Sequence, residues 1–296
     1  MSRSSLLPYL AFCAVCCIWG STFLFIGLNE AVMAPMWALS LRLLLAGIFL
    51  TAIMFARGIP FPKGSAMRTV IAYGICEFAG NLGFLYWGEA KIPSGLAAVL
   101  YGTSPVLTML MASIMRMEKL DARRLLGAVA ALLGIAVIFW REIEFGVSAA
   151  GILSVFAGAV FGTLGVLLLK RGPDQSPIAA NAIGFFVALP LTLLMSFILR
   201  EAHPLPVNPS QLVPLLYLVI IGSLGAFVLF AWLVGQWKTS SASFVAVIIP
   251  IIAVILGVAV HGEKLAPGSL VGVAIAIAAT VYVLRSEAKA ASSPAG

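Results

Sequence analysis

Two ionisable side chains stand out because they interrupt long apolar stretches. Arg42 lies in the stretch 33–56 and Glu77 in the stretch 67–87. On insertion scales a charge at the centre of a membrane helix costs about 2.5 to 3.5 kcal/mol, so each of these charges needs compensation. Two arrangements would provide it: a mutual ion pair that fixes one stretch against the other, or a hydrated cavity that takes a charged substrate. The two are compatible if the pair breaks when substrate enters.

Polar side chains recur around Glu77 at helical spacing. Tyr73, Glu77 and Asn81 are four residues apart and should share one helical face, which we expect to point into the protein. We expect this face and Arg42 to form a substrate-binding site with further polar and aromatic residues: Trp19, Ser21, Thr22, Tyr101, Thr103, Ser104, Thr163 and Asn181. For each Ser or Thr the alternative is a hydrogen bond to its own helix, and for Trp19 it is core packing.

Two prolines predict helix bends. Pro105 and Pro250 fall inside apolar stretches, where proline kinks a helix and frees the carbonyl four residues earlier, at Tyr101 and Ala246. Because the residues before Pro105 are polar, we expect the Tyr101 carbonyl to contribute to substrate binding. Pro250 is flanked by isoleucines, and packing accounts for it.

The elements that carry these residues are predicted to be membrane helices. Of the 296 residues, 62% are hydrophobic and 10% are charged, whereas a soluble domain has about 25% charged residues. Apolar runs long enough to cross hydrocarbon as a helix occur ten times. We place them at 6–27, 33–56, 67–87, 92–115, 123–140, 147–169, 177–199, 212–236, 240–260 and 266–284.

The basic residues indicate how these helices are oriented. Thirteen Lys and Arg residues fall in the termini and alternate loops, against four in the opposite loops: Lys91, Arg141, Arg200 and Lys264. By the positive-inside rule, both termini are cytoplasmic. The net charge of +7 thus reflects topology and not a nucleic-acid partner. We expect a multi-pass protein of the plasma (inner) membrane, whose partners are the lipid bilayer and a small-molecule substrate.

The two halves of the chain resemble each other. An offset of 145 residues pairs Trp87 with Trp232, Pro105 with Pro250, and the triplet Glu118-Lys119-Leu120 with Glu263-Lys264-Leu265. We therefore predict an all-α fold of two five-helix repeats, residues 1–144 and 145–296. Because five is odd, the second repeat must be inverted relative to the first, an architecture typical of secondary transporters.

These motifs resemble those of a known family. They are Trp19-Gly20-Ser21-Thr22-Phe23 in the first predicted span, Arg42 in the second, a proline in the fourth and ninth, and Glu118 or Glu263 before a glycine-bearing last span. The sequence resembles the EamA-type branch of the drug/metabolite transporter superfamily, and is similar in kind to YddG-type exporters of amino acids. The resemblance implies a secondary transporter, with the family's arginine at Arg42.

Other functions remain open at this point. A facilitative uniporter or a channel for a base, a sugar or a drug-like amine would have the same composition. An integral-membrane enzyme is less compatible, because His203 and His261 fall in separate loops without metal-ligand spacing. We expect no catalytic residues, no metal and no cofactor. A monomer is sufficient, and a dimer is compatible with the sequence.

The charge count predicts the topology directly. A reporter fused after Gly296 should be active on the cytoplasmic side, and one inserted between Glu201 and Asn208 should be active outside. Paired alkaline phosphatase and fluorescent protein fusions measure this in intact cells. The opposite pair of results would overturn the orientation, while leaving the repeat intact.

Overall fold

The computed structural model describes residues 3–30, 32–92, 94–138, 140, 148–261 and 267–292, and the regular secondary structure in these ranges is helical. The first half contains α1 (Arg3–Glu30), α2 (Pro35–Ala56), α3 (Ser65–Tyr73), the π-helix π1 (Gly74–Leu82), α4 (Gly83–Glu89), α5 (Ser94–Tyr101), α6 (Ser104–Ile114) and α7 (Ala122–Ile138). The second half contains α8 (Ala149–Arg171), α9 (Pro177–Ile198), α10 (Pro209–Tyr217), the π-helix π2 (Leu218–Gly225), α11 (Ala226–Gln236), α12 (Thr239–Ala242), α13 (Val245–His261) and α14 (Pro267–Ser292). The triplet Glu263-Lys264-Leu265 lies outside the described residues.

Length and composition identify a membrane protein. Five helical segments within the described ranges are long and apolar enough to cross a membrane: Pro35–Ala56, Leu96–Ile114, Ala149–Arg171, Pro177–Ile198 and Pro209–Gln236. Shorter apolar helices cover Leu6–Thr22, Thr239–Ala253 and Leu270–Ser286. Large apolar side chains also point outward, with Ile114 80% and Leu126 70% exposed, which suits contact with hydrocarbon. The chain is an all-helical, multi-pass membrane protein.

Helices of one half pack on helices of the other. Helix α2 lies against α9, α7 against α14, α1 against α11 and α13, and π1 with α4 against α8. The Ser40 hydroxyl of α2 donates to Thr192 Oγ1 of α9 over 2.9 Å. The Glu201 carboxylate, just after α9, accepts the N–H groups of Met36 and Trp37 at the start of α2, where free N–H groups favour an anion. The core therefore lies between the halves.

A π-helix occurs at corresponding positions of both halves. Segment π1 begins at Gly74 and π2 at Leu218, close to the offset of 145 residues that relates the sequences. A π turn contains more residues than an α turn, so each segment shifts the phase of the helix that continues from it. Such segments are rare and frequently lie at functional sites. Both π segments here lie beside the interface between the halves.

Glycines allow a close backbone approach between α7 and α14. A Cβ atom placed on Gly134 would lie 2.8 Å from the Gly272 carbonyl oxygen and 2.7 Å from the Ala276 nitrogen. Both neighbours are backbone atoms and cannot rotate away. The two helices can approach this closely only because no side chain separates them.

Substitution of Gly134 tests this contact. Alanine in a helix gains about 1 kcal/mol of propensity over glycine, but overpacking costs about 1 to 3 kcal/mol, so Gly134→Ala should lower the melting temperature in detergent. Gly83→Ala is the matched control, because no atom lies within 4 Å of a Cβ placed there. Its melting temperature should be unchanged or higher. Equal melting of both variants would contradict the close α7–α14 packing.

Candidate substrate site: a cavity between the halves

A cavity lies between the two halves. The centres of water molecules can occupy about 110 Å³ of it, where a single water needs roughly 10 to 15 Å³. The space therefore holds several waters or the polar part of a small metabolite. Eight of the twelve predicted site residues line it: Trp19, Thr22, Arg42, Glu77, Asn81, Tyr101, Ser104 and Thr163. The second half contributes mostly apolar walls, among them Val166, Phe227, Phe230 and Ile249.

Arg42 on α2 is held in place by neutral groups. Its side chain is buried, Nε donates to Ser223 Oγ over 2.8 Å and Nη1 donates to the Tyr86 hydroxyl over 3.0 Å. In the described ranges no carboxylate lies within ion-pair distance, 4.0 Å, of Arg42, so the mutual ion pair with Glu77, one of the two arrangements that the sequence left open, is not formed. These hydroxyls orient the guanidinium but leave its charge without a counter-charge, which is costly in a buried site.

Glu77 on π1 is held by a short chain of hydrogen bonds. The Tyr101 hydroxyl donates to Asn81 Oδ1 over 2.9 Å, and Asn81 Nδ2 donates to Glu77 Oε1 over 3.1 Å. The second oxygen, Oε2, is buried without a hydrogen-bond partner among the described residues. Because buried polar atoms are nearly always bonded, this oxygen is the natural acceptor for a donor that enters the cavity.

An aromatic wall faces these polar groups. Trp19 contacts Phe227 and Phe230 with ring centroids 4.9 and 5.0 Å apart, and its indole Nε1 donates to the Gly222 carbonyl over 3.3 Å. Trp19 thus packs in the core and also lines the cavity. A flat or apolar group on a substrate would be matched by this wall.

Most of the hydroxyls bond to a backbone carbonyl three residues earlier, the local alternative that the sequence left open. Thr22 donates to the Trp19 carbonyl and Ser104 to the Tyr101 carbonyl. Thr163 differs, because its hydroxyl is buried at the cavity without a partner among the described residues. It is therefore free to bond to a substrate.

Four predicted residues lie outside the cavity lining. Ser21 contacts Tyr217, and Thr103 bonds to the Leu100 carbonyl. The Tyr73 hydroxyl donates to Asn181 Oδ1 on α9 over 3.2 Å. Tyr73 precedes π1, whereas Glu77 and Asn81 lie within it. An uninterrupted α-helix would place Tyr73, Glu77 and Asn81 on one face. The shift in helical phase at π1 explains why Tyr73 instead contacts α9 while Glu77 and Asn81 line the cavity.

The two prolines differ in their place relative to helix breaks. Pro105 is the second residue of α6, directly after a break at Gly102 and Thr103. The Tyr101 carbonyl accepts the Ser104 hydroxyl over 2.6 Å, which uses one of its two lone pairs, so a contribution of this carbonyl to substrate binding stays a prediction. In the second half the break lies earlier, at residues 243–244 between α12 and α13, and Pro250 is inside α13.

Sequence reasoning missed several lining residues and one buried charge. Thr108, Thr239 and Ser243 line the cavity. Arg124, at the start of the predicted span 123–140 and counted among the basic residues that set the topology, is 6% exposed and contacts Glu118 and two serines of α12. The repeated Glu118 triplet and the polar run that begins at Thr239 were the available signals.

Comparison with known proteins decides the family. The sequence model of the EamA-like transporter family matches residues 6–140 and again residues 149–285. The chain belongs to this family. As an EamA-like transporter it is a member of the drug/metabolite transporter superfamily that its motifs resemble, and its two matches cover both halves of the fold.

Individual relatives cover nearly the same length. The inner membrane transporter YedA of Escherichia coli (strain K12) is 26% identical over 96% of this chain and 92% of its own length. A protein of Salmonella typhimurium named "Probable amino-acid metabolite efflux pump" is 23% identical over 90% of both chains. The S-adenosylmethionine/S-adenosylhomocysteine transporter of Chlamydia trachomatis is 26% identical over 86% of this chain and 82% of its own.

A solved structure shares the fold. A protein crystal structure superimposes with a TM-score of 0.78 over 99% of this chain and 100% of the other, at 21% identity. At this identity the structural similarity shows the fold alone.

The hydrogen-bond chain to Glu77 predicts a role for Tyr101. Tyr101→Phe removes one hydrogen bond of about 1 kcal/mol and frees Asn81 to rotate, so transport into proteoliposomes should fall by up to about tenfold with little loss of stability. Tyr282→Phe is the control, because Tyr282 is 50% exposed on the outer surface. An unchanged rate in Tyr101→Phe would show that the chain of hydrogen bonds does not matter for transport.

Proposed function

We propose that this EamA-like transporter is an alternating-access secondary transporter that exports amino acids with aromatic or other apolar side chains, or related small metabolites. One observation carries the proposal: Arg42 and Glu77 border the same cavity, and neither is neutralised by the other. A buried cation and a buried carboxylate that remain unpaired favour a substrate with one charge of each sign.

An amino acid matches both groups. Its carboxylate would accept hydrogen bonds from the Arg42 guanidinium, whose planar fork suits that geometry. Its ammonium would donate to Glu77 Oε2, and its side chain would lie on the wall of Trp19, Phe227 and Phe230. A neutral substrate would leave both charges without partners, so we expect it to bind more weakly.

The relatives support this substrate class and the direction of transport. The name of the Salmonella typhimurium relative contains both amino-acid metabolites and efflux. S-adenosylmethionine, in the name of the Chlamydia trachomatis relative, also carries an α-amino and a carboxyl group. These names apply to proteins of 23% and 26% identity, and they make amino acids the first substrates to test.

The proposed mechanism uses the two halves as moving bodies. We propose ten membrane helices in two inverted repeats, residues 1–144 and 145–296, with both termini in the cytoplasm and the protein in the inner membrane. The cavity has walls from both halves. Rocking one half against the other would expose it to each side in turn.

Substitution of Glu77 tests the site. In proteoliposomes loaded with amino acids, the protein should catalyse saturable exchange, and Glu77→Gln should abolish it or remove its pH dependence while the protein still folds. Arg42→Lys keeps the charge but loses the fork, and should raise KM more than it lowers the maximal rate. Asp174→Asn is the control, since Asp174 is an exposed carboxylate far along the chain from both residues.

Each result separates one hypothesis from another. Flux that neither saturates nor exchanges would favour a channel. If the parental protein exchanges bases or sugars and Glu77→Gln is inactive, the proposed site would stand and the proposed substrate class would be wrong. A parental rate for Glu77→Gln from pH 5 to pH 8 would show that Glu77 is structural and that the proposed site is wrong.

A further inference from the structure

One end of the cavity is covered by a single helical turn. Helix α12 (Thr239–Ala242) is buried over its whole length. Thr239 lines the cavity, whereas Lys238, the residue before it, is exposed. Adjacent residues thus lie on the surface and at the cavity, so α12 forms the wall of the cavity at this end.

Two charged side chains from the other half hold this turn. The Glu118 carboxylate accepts the Ser240 backbone N–H over 3.2 Å and also the Ser240 hydroxyl. Arg124 Nη2 donates to the hydroxyls of Ser240 and Ser241 over 2.7 Å each. Arg124 Nη1 lies 3.9 Å from Glu118 Oε2. The contact thus joins the segment between α6 and α7, together with the first turn of α7, to the start of the α12–α13 segment.

The chemistry of this contact suits reversible closure. Its bonds are charge-assisted hydrogen bonds, which hold strongly while formed. The Glu118 and Arg124 side chains keep 11% and 7% of their surface exposed, so water can reach both when they separate. Helix α12 is also separated from α13 by the break at residues 243–244, which allows the turn to move without unwinding α13.

We propose that Glu118 and Arg124 form a latch that closes the cavity at the α12 end and must release α12 whenever the cavity opens to that side. The inference rests on the proposed alternating-access function. In the predicted topology, this side is the cytoplasm. The counterpart of Glu118 at the offset of 145 residues is Glu263, outside the described residues.

Thiol labelling measures the latch without a substrate. Thr239→Cys is introduced into a variant with Cys13, Cys16, Cys17 and Cys76 replaced by Ala, and a membrane-impermeant maleimide is added from the α12 side. A hydrogen bond to a charged group contributes about 1.5 to 3 kcal/mol, so Glu118→Gln should speed the labelling of Cys at position 239 by about tenfold or more.

Matched variants make the result specific. Asp121→Asn removes a carboxylate from the same connecting segment, but Asp121 is exposed and its side chain accepts the Arg123 backbone N–H, away from α12, so labelling should stay at the parental rate. Ser240→Ala retains both charges and removes the hydroxyl that they share. It should also speed labelling, and it decides the matter if Glu118→Gln does not fold.

The outcomes separate this proposal from the proposed function. Faster labelling in Glu118→Gln or Ser240→Ala, together with no transport of amino acids, would uphold the latch and reject the substrate. Saturable amino-acid exchange with labelling unchanged in both variants would uphold the transporter and overturn the latch. Equal acceleration by Asp121→Asn would also overturn it, since the effect would then come from net charge alone.

Discussion

The separate burial of Arg42 and Glu77 is the constraint on which the rest of the site depends. Both side chains are buried away from bulk water, and an ion pair between them would compensate both charges while occupying the site. The structure instead orients each charge with neutral partners on its own side, Ser223 and Tyr86 for the guanidinium and Asn81 for the carboxylate. These hydrogen bonds position a charge without cancelling it, which keeps both available to a third molecule.

A symmetric fold thereby carries an asymmetric site. At the offset of 145 residues the counterpart of Glu77 is Gly222. Earlier in each half the offset is 142 residues, which pairs Gly20 with Gly162 and Pro35 with Pro177, and there the counterpart of Arg42 is Gly184. A Cβ on Gly222 would lie 2.9 Å from Thr22 Cγ2 and 3.3 Å from Arg42 Nη2. The second half therefore supplies space for the arginine at the position where the first half supplies a carboxylate. One half contributes the two charges and the other contributes room and apolar walls.

The features that the sequence predicted are those with local causes. The cost of a charge in an apolar run singles out Arg42 and Glu77 whatever the packing, and composition alone indicates a membrane protein. The division of the Tyr73 face could not be predicted, because π1 depends on how the helix packs in the fold. Arg124 was counted as a topological charge, because the positive-inside rule considers position along the chain and not the direction of the side chain. Its partners, Ser240 and Ser241, are more than a hundred residues away.

The two sides of the cavity differ in how readily they can move. On one side π1 packs on α8, where a Cβ on Gly162 would lie 2.7 Å from Asn81 Nδ2, so the wider π turn fits only against a helix without a side chain there. This close packing fixes the positions of Glu77 and Asn81 relative to α8. On the other side the chain is interrupted between α5 and α6 and again between α12 and α13. Breaks absorb changes in backbone angle more easily than continuous helices, so opening should move the α5–α6 and α12–α13 segments while the carboxylate stays in place.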